Sequence, residues 1–161
     1  LQFRCAGIRD TTDGGMGLGL GVFFQGCHIH CKGCQNPDLQ DPSGGYNANT
    51  DTIVHIVSTY DYYDSIVFLG GEPTEQEEAL LDIASRVNIP CILFTGKYYR
   101  ELSNEIKDIM YMIVDGPYIE ECKTGTFPAS YNQRIYINGK MQKNIWEEIE
   151  PNKWKQTRQK Q

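Results

Sequence analysis

The stretch GLGVFFQGCHIHCKGC, residues 19–34, sets the frame for the whole chain. Its first part, 19–25, has a β-branched and aromatic centre bounded by glycines and reads as a buried strand. Its second part places Cys27, Cys31 and Cys34 in C-x3-C-x2-C spacing, three soft thiolates on one tight loop at the strand's end. Three is the informative number. A structural zinc site closes with four ligands, whereas a cubane iron-sulfur cluster held by three cysteines leaves one iron open to another ligand. A zinc loop that recruits His28 or His30 as fourth ligand stays open as the alternative. Cys5, Cys91 and Cys122 read as ordinary buried thiols, and the uneven spread of the six cysteines over a domain-sized chain fits a metal or cluster site better than a disulfide framework.

Working outward, residues 1–8 read as a first strand, and the loop 26–45, with Pro37, Pro42 and a Gly-Gly pair, as irregular. From Thr50, the near-helical recurrence of Ile53, Val54, Ile56, Val57 and Tyr60 predicts a helix capped by Thr50 or Asp51. Residues 65–69 (SIVFL) form an apolar strand that stops at Gly70-Gly71. Thr74 with Glu77 has the spacing of a capping box, opening a helix with Ala79, Leu80, Ile83, Ala84 and Val87 inward and Pro90 at its end. A strand at 91–94, a helix over 98–109 and strands at 110–114 and 134–137 complete the pattern.

Strands alternating with helices imply right-handed βαβ crossovers and hence an α/β fold with a mainly parallel sheet. A full barrel needs roughly 250 residues, more than the 161 present, so the expectation is a single domain built as an open sheet or partial (βα) barrel. In either form ligands sit at the carboxyl ends of the strands, where Cys27, Gly70-Gly71, Thr95-Gly96 and Asp115-Gly116 all fall.

Composition bounds the function. Apolar residues at 40% and charged residues at 22% describe a globular chain. A net charge of −6 excludes bulk electrostatic binding of nucleic acid or anionic membrane. The tyrosine run Tyr60-Asp61-Tyr62-Tyr63 contains no basic residue and so does not read as a base-stacking platform. The longest uncharged stretch, 14–30, is rich in glycine and broken by polar residues, so no membrane span is expected. No secretory signal is read near the amino terminus, and the expectation is a reducing, cytoplasmic setting. Residues 1–139 form the expected core domain and 140–161 a basic tail, with six basic residues against three acidic. The tail reads as a solvated or frayed terminus over its last ten residues, or, more sharply, as a partner contact anchored by Trp146 and Trp154.

The segments FFQGCHIHCKGCQNPDLQD and FLGGEPTEQ together resemble the radical S-adenosylmethionine superfamily, and within it the small activating proteins of glycyl radical enzymes. FTGKYYREL, VDGPYIEE and SYNQRIYI narrow the likeness to the activating components of anaerobic ribonucleotide reductases, over about residues 13–137. The resemblance implies a partial (βα) barrel of the radical SAM type and a [4Fe-4S] cluster held by Cys27, Cys31 and Cys34, with S-adenosyl-L-methionine on the fourth iron. Gly70 and Gly71 would let backbone approach the methionine moiety, and Glu72 would place negative charge near its ammonium. Gly33, Cys34 and Gln35 would line the adenosyl side, with Asn36 a polar contact. The implied partners are the large catalytic subunit of the anaerobic ribonucleotide reductase, whose glycine becomes a radical, and a flavodoxin- or ferredoxin-like electron donor.

The chain departs from that pattern in places. Gly33 stands where many members carry an aromatic residue, so Phe24 or Tyr98 is expected to supply the adenine surface instead. Gly19 and Pro128-Ala129 stand where relatives carry arginine or an arginine-glycine pair. The alternatives are an activator of another glycyl radical enzyme, a 7-carboxy-7-deazaguanine synthase, and, from a different class, a zinc-dependent binding module.

Overall fold

A computed structural model describes residues 1–149, 151 and 152. Eight strands form one sheet: β1 (Gln2–Thr11), β2 (Gly19–Phe24), β3 (Tyr46–Asn49), β4 (Ser65–Gly70), β5 (Cys91–Phe94), β6 (Met112–Asp115), β7 (Arg134–Ile137) and β8 (Lys140–Met141). Their order is β3-β1-β2-β4-β5-β6-β7-β8. The helices are α1 (Thr50–Thr59), α2 (Glu77–Arg86), α3 (Asn104–Ile109) and the short α4 (Trp146–Ile149). No helix among the described residues is long and apolar enough to cross a membrane.

The sheet is parallel only across β2, β4, β5 and β6, and antiparallel at every pair outside them. The expectation of a mainly parallel sheet therefore holds for the centre and not for the flanks. Connection length accounts for two of these antiparallel pairs: a parallel neighbour needs a crossover of a dozen or more residues, and the short links β1–β2 and β7–β8 are too tight for one. The second is a two-residue hairpin in which Asn138 (φ 50°) and Gly139 (φ 77°) both adopt the left-handed region.

Because side chains alternate across a strand, the central strands bury both faces. Leu20, Val22, Phe24, Ile66, Phe68, Leu93 and Ile113 pack with Ile53, Leu80, Ile83 and Ile106 of α1, α2 and α3. On the other face Val67, Ile92, Met112 and Val114 form a smaller cluster with Met16, Leu69 and Phe94. The central strands follow one another in chain order in a single direction, and crossovers of one hand then leave their helices on one face.

Local signals were met in altered form. The cap of α1 is Asn49, whose side chain accepts from the Asp51 N–H at 2.9 Å, while the expected Thr50 is buried and its hydroxyl accepts from the Leu1 amino group. The Thr74–Glu77 capping box does not form. A 3-10 turn over Pro73–Gln76 precedes α2, the Glu72 carboxylate takes the Thr74 N–H, and Glu77 accepts from the Ser103 hydroxyl instead. The expected helix over 98–109 divides into a 3-10 turn (Tyr99–Glu101) and α3, because the Ser103 hydroxyl accepts the Ile106 N–H and starts a new helix there. β6 begins at Met112 rather than at residue 110, since Met110 caps α3. The chain continues in ordered fashion past residue 139: Asn144 is buried, donates to the Gln133 carbonyl and accepts from the Trp146 N–H. Trp154 and the terminal stretch read as frayed lie outside the described residues, apart from Asn152.

Asp115, at the end of β6, is fully buried and paired with Arg134 of β7 at 2.9 Å, and it also accepts the Tyr99 N–H at 2.7 Å. It is a structural group joining two strands and a turn. Asp115→Ala leaves the partly buried Arg134 guanidinium without its partner and is expected to cost about 3 kcal/mol in urea unfolding.

Candidate functional site

A cavity of about 710 Å³ opens at the carboxyl ends of β2, β4, β5 and β6. Its wall includes Cys27 beyond β2, Gly70, Gly71 and Glu72 at β4, Thr95 and Gly96 at β5, and Gly116 at β6. The four strand ends thus meet around one space.

The cysteine loop leaves β2 through Gly26, at φ 108°, and returns beside its own start. Gly26 N–H donates to the Leu39 carbonyl at 2.7 Å and Cys27 N–H to the Gln40 carbonyl at 3.0 Å, which closes the neck of the loop. The buried Gln25 amide donates to the Asp38 and Asp41 carbonyls from below. Within the loop, Cys34 N–H bonds the Cys31 carbonyl at 3.1 Å, with Gly33 at φ 72°. That turn sets the last two thiols side by side in the chain direction. Asn36 N–H lies 3.4 Å from Cys34 Sγ, a donor suited to a thiolate.

All three loop cysteines are free, partly exposed and on the cavity wall. Burial pushes the Cys27 and Cys31 thiols above their ordinary value, and the Glu72 carboxylate adds to the effect at both. Metal binding offsets that cost by replacing the thiol protons with positive charge. Among the described residues no three Cys, His, Asp or Glu side chains are arranged around a single metal ion. A donor set of three soft thiols spread along one wall suits a cluster, in which each cysteine meets a separate iron. The histidines considered for a zinc site do not line the cavity. His28 bonds Glu75 through both its backbone N–H and its ring, and His30 Nδ1 lies 3.0 Å from Gln40 Oε1.

The two glycines at the end of β4 answer to backbone packing. A Cβ on Gly70 would stand 2.6 Å from Phe24 backbone atoms, and one on Gly71 would stand 2.3 Å from the Gly26 carbonyl oxygen. Gly70 also lies at φ 114°. Glu72, 1% exposed, is held by four donors: Thr74 N–H, the Thr74 hydroxyl at 2.6 Å and the Thr95 hydroxyl at 2.8 Å on one oxygen, and Gly96 N–H at 2.8 Å on the other. It therefore ties the end of β4 to the end of β5. Gln35 and Asn36 line the cavity, whereas Gly33 faces Glu120, whose carboxylate a Cβ would approach to 2.5 Å.

Neither aromatic residue expected at the adenine lines the cavity. Phe24 is fully buried on the helix side of the sheet, and Tyr98 is off the cavity wall. Phe23, one position earlier and so on the opposite face, lines the cavity with Phe94, Tyr118 and Phe127. The alternation of Gly19, Gly21 and Phe23 along β2 carried that information. Arg9, also on the wall, carries no motif in the sequence, since it falls at the polar end of β1.

The 4Fe-4S single cluster domain family matches residues 14–136. Among curated proteins, the pyruvate formate-lyase-activating enzyme of Clostridium pasteurianum is 35% identical over 74 residues, which is 43% of this chain and 31% of that protein. The pyruvate formate-lyase 1-activating enzyme of Escherichia coli (strain K12) is 28% identical over 108 residues, 62% of this chain and 44% of that protein. The chain spans less than half the length of these curated relatives.

Glu72→Gln preserves size but turns an N–H2 donor toward donors that in the unaltered protein meet a carboxylate oxygen. It is expected to lower stability by about 1–3 kcal/mol in urea unfolding, with Thr95→Val milder because three of the four donors to Glu72 remain, although the Lys97 N–H loses its acceptor.

Proposed function

The chain belongs to the 4Fe-4S single cluster domain family, and from that membership we propose that it is a radical S-adenosylmethionine activating enzyme that forms a glycyl radical on a partner protein. The observation that carries this is the meeting of Cys27, Cys31 and Cys34 with the glycine-rich end of β4 on the wall of one cavity. Bound together, a [4Fe-4S] cluster and S-adenosyl-L-methionine supply one-electron cleavage of a carbon–sulfur bond and removal of a hydrogen atom from glycine.

Each residue then has a task. Cys27, Cys31 and Cys34 would hold the cluster and leave one iron open to S-adenosylmethionine. Gly70 and Gly71 keep the wall thin beside the methionine moiety, and Glu72 acts on its ammonium by charge from a position its four hydrogen bonds fix. Cys34, Gln35 and Asn36 border the adenosyl side, with Gly33 shaping the turn that brings them there. Phe23, Phe94, Tyr118 and Phe127 keep water from the reacting atoms. The open sheet stands as the partial (βα) barrel of this superfamily, residues 1–139 as its core and 140–161 as a basic tail.

The partner glycine is taken to lie on the large catalytic subunit of an anaerobic ribonucleotide reductase, with electrons from a flavodoxin- or ferredoxin-like donor and the reaction in the cytoplasm. FTGKYYREL and VDGPYIEE support that assignment, and their glycines, Gly96 and Gly116, stand on the cavity wall. The names of the curated relatives favour a second reading, in which the partner is a pyruvate formate-lyase or another glycyl radical enzyme.

Anaerobic reconstitution tests the reading. The unaltered protein is expected to bind iron and sulfide, to release 5′-deoxyadenosine under strong reductant, and to give a glycyl radical resonance when mixed with the right partner. Single Ala variants at Cys27, Cys31 and Cys34 lose iron and cleavage, while Cys91→Ala retains both. Binding of zinc without iron or sulfide, or full cleavage by Cys31→Ala, overturns it.

A further inference from the structure

Arg9 is the one cation on the cavity wall among the described residues. It sits opposite Gly21 in the β1–β2 register, and its guanidinium carbon lies 4.1 Å from the centre of the Phe23 ring. Among the described residues it enters no ion pair. Two other charged groups share the wall, Asp13 and Glu72. Asp13 is not paired with Arg9, and the oxygens of Glu72 are taken by Thr74, Thr95 and Gly96.

The sheet prepares this placement. Gly21 and Phe23 share the cavity face of β2, and a Cβ on Gly21 would stand 3.1 Å from Phe23 Cε2. The ring therefore lies back over bare backbone and makes a flat floor for the guanidinium. Stacking uses the face of that group and leaves its N–H donors at the edge, in the fork that matches a carboxylate.

We propose that Arg9 is a carboxylate-recognition residue that binds an acidic side chain of the glycine-bearing segment as it enters the cavity. The inference rests on the proposed function. There the carboxylate of S-adenosylmethionine is held at the cysteine loop, beyond the end of β2, whereas Arg9 pairs with Gly21, three residues before that end. The two carboxylates have separate seats. Partner segments with an aspartate or glutamate at the right distance from the glycine are thereby preferred over neutral ones.

Short synthetic peptides test this on the anaerobically reconstituted full chain with S-adenosylmethionine present. Each peptide carries a central glycine with aspartate or alanine at one scanned position. One aspartate position is expected to bind about tenfold more tightly than its alanine counterpart at low salt. Arg9→Ala removes the preference, and Arg9→Lys, which keeps the charge without the fork, retains part of it. The readout is a ratio of two affinities, so a folding defect that weakens both peptides does not imitate the effect. Equal affinity for all peptides in the unaltered protein, or a preference that survives Arg9→Ala, overturns the proposal. So does a change in how Arg9→Ala discriminates S-adenosylmethionine from its decarboxylated analogue, which places the cofactor's carboxylate on Arg9. Iron content and S-adenosylmethionine cleavage by the unaltered protein report on the proposed function separately.

Discussion

Two backbone hydrogen bonds, from Gly71 N–H to the Phe24 carbonyl and from Glu72 N–H to the Gly26 carbonyl, both 2.8 Å, extend the β2–β4 pairing past the point where the strands end. The site depends on them. They require the chain after β4 to lie against the neck of the cysteine loop with no side chain between, and the approach of Gly71 to Gly26 shows how little room is left. The same bonds deliver Glu72 beneath the wall, where Thr95 and Gly96 reach it from β5. One contact between strand ends thus sets the position of the thiol loop, a buried carboxylate and the next strand.

The second constraint is the period of two along the strands. It sends Phe24 into the helix-covered core and Phe23 into the cavity, and it divides the apolar residues of β4, β5 and β6 between two clusters of unequal size. The larger cluster is sealed by three helices. The smaller lies on the cavity side, where Leu69 and Phe94 belong both to it and to the cavity wall. The main core and the candidate site therefore draw on opposite faces of one sheet, and substitutions on the helix side reach the site only by moving the strands.

Much of this was legible from residues alone. The central strands, their order of appearance and the convergence of four strand ends follow from apolar runs that stop at glycine. What escaped has identifiable causes. β3 reads YNAN, with no apolar alternation to mark it, and is a strand because β1 offers it an edge. β8 has two residues, too few for any pattern, although Asn138-Gly139 before it is the turn pair that such hairpins use. Thr74 and Glu77 have capping-box spacing, but Glu72 stands closer to the Thr74 N–H and wins the competition. The glycines at 70 and 71 were visible as a motif, whereas their steric reason required knowledge of which backbone lies across from them.

An open sheet has two borders, and borders recruit neighbours. Among the described residues the outermost strands are β3, in which Tyr46, Asn47 and Asn49 are exposed, and β8, which is only Lys140 and Met141. A short, polar or charged margin offers a poor template for another copy to extend by strand addition. The rims of the sheet therefore discourage the protein from stacking upon itself while the cavity at the strand ends stays clear of them.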